Sequence, residues 1–282
     1  MTLTRTDFDI LTGDAAKYSR ELVDERLNFF RERGLLRGDS LTADGLKVLE
    51  PYKVRRAIFI VAGIGERLIP ITLNTPKPLV KVHGVRIIDR LIDACLAADI
   101  KEIYVVRGYL GEQFDLLLKK YPTLKFIDNP IFNEANNISS AIRVANLMSR
   151  AYVLEGDLLL YNPELIRKYE FTSNFLGIET ARSDDWCFDV EDGVIVKQKI
   201  GGLNCWQEVG ISFWDETSAA HLAEDLPAAF DLPGGREFYW DEIPLKIFAE
   251  HYRVEVRPCT KADVVEIDTF GELKAIDRAY AV

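Results

Sequence analysis

Apolar and polar residues recur along this chain with two different periods, and the change of period divides it. Up to about residue 53 the spacing is helical: a segment opened by Ser19-Arg20-Glu21 carries Leu22, Phe29, Phe30 and Leu36 on or near one face. Gly34 and Gly38 end that segment, LTADGLKVLE begins another short helix or wing, and Glu50-Pro51-Tyr52 breaks the pattern. The chain then enters the apolar run Ala57-Ile58-Phe59-Ile60-Val61, which reads as a buried strand. Strands and helices alternate from there. EIYVVRG (from Glu102), LKFI and AYVLEGD read as strands, whereas LGEQFDLLLKKY, ISSAIRVANLMS and NPELIRKY read as helices. That order predicts an α/β fold with a mixed, mainly parallel sheet and crossover helices. Residues from roughly 175 to 215 are richer in strand-like runs: NFLGIETA, WCFDV, GVIVKQKI and EVGISFW. Helical text returns in TSAAHLAEDL and YWDEIPLKIFAEHY, followed by a strand, RVEVRP, and a last helix from Phe270. The expected organisation is a small helical extension, 1–53, and one large domain, 54–282.

Composition narrows the class. At 282 residues, 48% of them hydrophobic, the chain can bury a sizeable core. No stretch approaches the roughly 20 continuous apolar residues of a membrane span, and the N-terminal MTLTRTDFDILTGD has no basic start and apolar run of a secretory signal. A net charge of -10 opposes general nucleic-acid binding, because a polyanion is repelled unless a local basic patch intervenes. An acidic protein that takes a triphosphate needs local Lys and Arg and a divalent cation. Cys95, Cys187, Cys205 and Cys259 are far apart with no CxxC pair, which predicts free thiols in a cytoplasmic protein. His83, His221 and His251 are scattered, so the sequence suggests neither a zinc site nor a histidine triad.

Candidate chemistry begins at the first strand's end. Ala62-Gly63-Ile64-Gly65-Glu66-Arg67-Leu68-Ile69-Pro70-Ile71-Thr72 is a glycine loop of the kind that turns backbone N–H groups toward a phosphate. Thr75-Pro76-Lys77-Pro78-Leu79 follows, with a lysine held between two prolines on a stiff segment. Such a lysine suits a point charge that must stay aimed at a reacting phosphate. The combination differs from the P-loop, which needs Gly-Lys-Ser/Thr, and from the dinucleotide fingerprint, which needs a third glycine and a distal acid. Further on, Leu154-Glu155-Gly156-Asp157 places an acid at the end of an apolar strand, the edge where α/β proteins put ligands. In Val264-Val265-Glu266-Ile267-Asp268-Thr269 the two acids alternate with apolar residues, so an extended backbone points Glu266 and Asp268 to one side. Asp157, Glu266 and Asp268 are therefore the candidate metal ligands.

GxGxRLxPxT followed by PKPL resembles the signature of the nucleotidyltransferases that make nucleotide sugars and CDP-alcohols, which implies a Rossmann-like fold. Carried over, the resemblance implies that Ala62, Gly63 and Gly65 wrap a triphosphate and that Arg67 contacts phosphate. Lys77 would then bridge nucleotide and acceptor, and the acids would hold Mg2+ at the reacting α-phosphate. Lys77, Arg67 and Asp157 become the candidate catalytic residues. Val61 and Glu66 depart from the pattern, an alanine and a small hydroxyl residue being commoner there.

Gly108-Tyr109-Leu110-Gly111-Glu112-Gln113-Phe114 and Asn136-Asn137-Ile138-Ser139-Ser140 resemble the nucleotide-side loops of phosphocholine cytidylyltransferases. This implies nucleotide contacts at Gly108, Tyr109, Gln113, Asn137 and Ser139. Asp184-Asp185-Trp186-Cys187-Phe188 and Phe238-Tyr239-Trp240-Asp241-Glu242 resemble the acceptor side, which implies Asp185, Trp186, Tyr239, Trp240 and Asp241. A quaternary ammonium donates no N–H bond and is held by aromatic faces near an acid, and these two clusters supply both. The implied reaction joins CTP and phosphocholine to give CDP-choline and pyrophosphate. A 2-aminoethylphosphonate acceptor, a sugar 1-phosphate acceptor or a non-catalytic nucleotide sensor are the alternatives. The N-terminal stretch resembles the end of a winged-helix domain; its balanced charge disfavours DNA, leaving packing or a homo-oligomer contact as its expected use.

Overall fold

The protein, here a computed structural model that describes residues 1–281, divides into two compact units, Met1–Val54 with Tyr169–Phe171, and Arg55–Lys168 with Thr172 onward. The first unit contains helices α1 (Arg5–Thr12), α2 (Arg20–Glu32) and α3 (Ala43–Leu49), with a short hairpin of β1 (Leu36–Arg37) and β2 (Ser40–Leu41) before α3. Its helices start where the sequence offers a side-chain oxygen. Thr4 and Asp7 form a reciprocal capping box on α1, Ser19 caps α2 and Thr42 caps α3. Phe8, Ile10, Phe30, Leu36 and Leu49 form its core, with Tyr52 stacked on Phe171 at 5.4 Å.

The second unit is built on a sheet of seven strands. Strand β3 (Arg56–Ile60) runs parallel to β6 (Glu102–Arg107) and β8 (Ala151–Glu155), and β6 parallel to β7 (Lys125–Asp128). Between β3 and β6 lie a two-stranded hairpin, β4 (Lys81–Val82) with β5 (Val85–Arg86), and helix α4 (Ile87–Ala97). Helix α5 (Ile138–Val144) precedes β8, and β9 (Leu158–Leu160) follows it. The sequence's four strand-like runs between 175 and 215 form two long strands, β10 (Asn174–Glu191) and β11 (Val194–Trp214), paired antiparallel with several register shifts. Strand β11 also pairs antiparallel with β8, so the sheet is mixed. Helix α6 (Glu216–Phe230), strand β12 (Glu255–Cys259), strand β13 (Val264–Glu266) and helix α7 (Phe270–Ile276) complete the unit.

Three expected helices take other forms. NPELIRKY contains only a three-residue turn at Pro163–Leu165, because Tyr161 and Asn162 donate their backbone N–H groups to Asp263 O and hold the chain extended. LGEQFDLLLKKY is a tight helix over Gly111–Lys119 with three-residue turns. In YWDEIPLKIFAEHY, Pro244 has no N–H for a regular ladder, and the segment is a wide turn over Ile243–Ile247 followed by a tight one over Ala249–His251.

Candidate active site

The parallel strands β3 and β8 end side by side, with Ile60 opposite Glu155. The glycine loop leaves β3 and Glu155-Gly156-Asp157 leaves β8 at the same edge of the sheet. Gly65 adopts φ 70°, a left-handed conformation open to glycine, and turns the loop into the short helix Glu66–Leu68. Strand β13 pairs with β9 so that Glu266 lies opposite Leu158, while Ile267 donates its N–H to Asp157 O. That pairing carries Glu266 and Asp268 across more than 100 residues of sequence to Asp157.

The four strongest sequence candidates meet there. Lys77 Nζ lies 2.8 Å from Asp157 Oδ2 and 3.1 Å from Asp268 Oδ1, and Arg67 reaches Asp268 Oδ1 at 2.8 Å. Burial opposes the charge on Lys77, but Asp157 and Asp268 outweigh it and hold the lysine above its ordinary pKa. Donor oxygens of Glu155, Asp157 and Glu266 lie within 4.8 Å of one another, as do those of Asp185, Glu266 and Asp268. Burial first, then the charges of Asp157 and Glu155, pushes the Glu266 carboxyl well above the usual range. Asp157 Oδ1 is buried with no hydrogen-bond partner. An orphaned carboxylate oxygen among crowded acids is the donor set a hard divalent cation fits, so these residues suit Mg2+.

A second group of acids, largely unmarked in the sequence, continues the row. Glu155 packs directly over Gly210 on β11, where a Cβ would collide with its carboxylate. Glu208, two residues back on the same strand, accepts a hydrogen bond from Gln198 Nε2 at 2.8 Å, and Asp241 accepts from the same amide. Gln198 is 2% exposed and Asp241 6% exposed, and the amide oxygen of Gln198 has no partner. Burial, then the neighbouring carboxylates, raises Glu155 and Glu208 well above the usual range. Burial also raises Asp241, and the Gln198 bond offsets part of that rise.

Other expected residues have different surroundings. Trp240 is 2% exposed, stacked near Phe175 at 6.4 Å and edge-on to Trp214 at 5.8 Å, so its ring belongs to the hydrophobic core and not to an aromatic box. Trp186 and Tyr239 do meet, edge to face at 5.7 Å, with Tyr239 exposed. Asp185, expected beside the acceptor, stands with the metal-type acids Glu266 and Asp268. Glu242 is taken by Lys246 and the Tyr239 N–H. Tyr109 donates to Thr72 O and Gln113 to Asn74 O, so both side chains fasten the loop after the glycines. Ser139 donates to Asn136 O and accepts from Asn129 in the interior, and Asn137 Oδ1 accepts from the Trp240 N–H. Gly108 sits under Phe132, where a Cβ would clash, and Ala62 is buried and accepts from the Tyr109 N–H. These last residues shape the walls of the loop edge through scaffold bonds. The sequence text LEGD and EVG contained Glu155, Glu208 and Gly210, but only strand register reveals that an acid on one strand lies over a glycine on the next.

Residues 56–172 match the nucleotidyl transferase family. The chain is 32% identical over 228 residues to the 2-aminoethylphosphonate cytidylyltransferase of Lancefieldella rimae, covering 79% of this chain and 92% of that protein. It is 29% identical over 220 residues to the choline-phosphate cytidylyltransferase of Haemophilus influenzae, covering 77% and 93%. The solved structure of CTP:phosphocholine cytidylyltransferase from Streptococcus pneumoniae aligns with a TM-score of 0.74 at 26% identity, over 80% of this chain and 99% of that one. Since the similarity spans nearly the whole of such relatives and the same mixed Rossmann-like sheet, this chain belongs to the nucleotidyl transferase family of enzymes.

Proposed function

We propose that the protein transfers a cytidylyl group from CTP to a small acceptor that has a phosphonate or phosphate at one end and a protonated primary amine at the other, as in 2-aminoethylphosphonate. The observation that carries the acceptor is the set Gln198, Glu208, Asp241 and Glu155. It is a recessed group of acids joined by a buried amide whose oxygen lacks a donor. Such a set is completed by N–H donors bearing positive charge, which a primary ammonium has and a quaternary one lacks. Cytidine as the base is supported by the relatives named above.

In this reading an acceptor oxygen, already ionised, forms a bond to the α-phosphorus of CTP while the bond from that phosphorus to the bridging oxygen breaks and pyrophosphate leaves. No general base is required. Lys77 offsets the charge that grows on the transferred phosphoryl group, and Arg67 steadies the departing pyrophosphate. Asp157, Glu266 and Asp268, with Asp185 beside them, would hold Mg2+, which supplies charge neutralisation at the α-phosphate. We assign this chemistry to the large unit and give the N-terminal unit no part in it.

One feature favours a second reading, phosphocholine: the edge-to-face pair of Trp186 and Tyr239 offers aromatic surface to a cation. The two separate in an acceptor series with zero to three methyl groups on nitrogen, assayed by pyrophosphate release at fixed CTP. Rates should fall with each methyl group, because each removes an N–H donor. Rates that rise with methylation would replace the primary-amine reading with the phosphocholine one.

A further inference from the structure

The histidines that look scattered in the sequence do not remain so. Helix α6 carries His221 and Asp225 one turn apart, and the turn Ala249–His251 brings His251 to them. One donor atom from each of the three residues lies within 4.8 Å of the other two. The two imidazole centroids are 5.5 Å apart. His251 Nδ1 is 2.8 Å from Asp225 Oδ2, and Tyr252 donates its hydroxyl to the same oxygen at 2.7 Å. Phe248 stacks parallel to the His251 ring at 5.6 Å, and Tyr252 packs edge-on to His221 at 5.8 Å.

We propose that His221, Asp225 and His251 form a binding site for a borderline transition-metal cation of the Zn2+ type, chemically distinct from the all-carboxylate Mg2+ set. Two imidazoles and one carboxylate are a donor set for Zn2+ and a poor one for Mg2+, which prefers oxygen ligands. Zinc–nitrogen bonds of about 2.0–2.1 Å bring tetrahedral donors to about 3.4 Å apart. The side chain of His251 is 40% exposed, so the site is open to solvent on that side and a water molecule would complete the fourth position. The Tyr252 hydroxyl donates to Asp225 Oδ2 and orients the carboxylate, as partners of metal ligands commonly do. Asp225 and His251 bracket the segment that carries Tyr239 and Asp241, so a bound ion clamps both ends of the acceptor-side stretch. Protons compete for the same site, because both imidazoles must be unprotonated at the ligating nitrogen to bind the ion.

The test uses the full-length protein, freed of metal by chelator and then held in saturating Mg2+ so that the carboxylate set is occupied. Titration with ZnCl2 by calorimetry should give one tight site per chain and raise the melting temperature. His221→Gln and His251→Gln should each weaken Zn2+ binding at least tenfold, as loss of a ligand costs no less than loss of its supporting partner. Cu2+ bound to the wild-type protein should show nitrogen hyperfine structure in its electron paramagnetic resonance spectrum, and the double variant should lose it. Zn2+ binding of unchanged affinity in the H221Q/H251Q double variant, or no saturable binding to the wild type, would overturn the site.

Discussion

Buried acids in the N-terminal unit and the acids gathered at the end of β8 are treated in opposite ways. In the N-terminal unit Asp7 lies 2.6 Å from an Arg26 guanidinium nitrogen and caps α1, while Asp9 accepts from the Tyr18 hydroxyl at 2.7 Å and pairs with Lys17 at 2.8 Å. Each acid has its own local counter-charge. At the end of β8, Lys77 pairs with Asp157 and Asp268, while Glu155, Glu208, Asp241 and Glu266 crowd behind them without an ion pair of their own among the described residues. A carboxylate that is desolvated and unpaired costs stability, so a fold retains a row of them only where something outside the chain completes it. A row of recessed acids with too few counter-charges of its own thus marks the site better than burial alone does.

Breaking the pairing at the cleft should have the largest effect. Lys77→Ala should lower kcat/KM on the order of 10²-fold or more, as expected when a preorganised charge is lost from the transition state. Because that variant leaves Asp157 and Asp268 to repel each other, Mg2+ should raise its melting temperature more than it raises that of the wild type. Near-normal turnover would remove Lys77 from the mechanism. A smaller loss should follow from Glu208→Gln, which keeps the shape but removes one charge from the acceptor end. Its KM for the amine acceptor should rise roughly tenfold, the scale of one charge-assisted hydrogen bond, with the KM for CTP nearly unchanged. Equal changes in both constants would show that Glu208 acts on the whole edge of the sheet.

The N-terminal acids should behave as the comparison demands. Asp7→Ala should cost about 1–3 kcal/mol of stability, through the lost cap and the stranded Arg26, while leaving kcat/KM at 25 °C within about twofold. A large catalytic loss in a folded Asp7 variant would end the distinction between the units.

The smallest effect is a pH trend. Glu155, Glu208 and Glu266 have folded pKa values above the ordinary 4.5, so the native state binds more protons than the unfolded chain above that value. Stability of the metal-free protein should therefore fall as pH rises above about 4.5, until the raised pKa values are passed, and Mg2+ should flatten the trend. A metal-free melting temperature that climbs across this range would contradict the row of unpaired acids.

Much of the molecule was legible along the chain because its signals are local. The run Ala57–Val61, the turn at Gly65, the rigid Pro76-Lys77-Pro78 and the alternation at Glu266 and Asp268 each depend on neighbours a few residues away, and backbone sterics fix their form. The same locality made Ser19 readable as the opening of α2 and Phe270 as the start of α7, although the cap of α7 is Thr269. What the sequence could not supply was company. Trp186 and Trp240 sit in similar aromatic–acid text, yet one ring pairs with Tyr239 and the other is enclosed by Phe175 and Trp214, a difference made by packing between distant strands. Glu155 joins Gly210, Glu208 and Gln198 only through the β8–β11–β10 register, and His221 meets His251 only when α6 and the turn before β12 pack together. The chain by itself determined the strands, the phosphate-type loop and its lysine, since those follow from bond rotation and short-range pattern. Which acids share a site, and which rings face a ligand, was decided by long-range pairing, because charge interaction and burial depend on distance in space and not on distance along the chain.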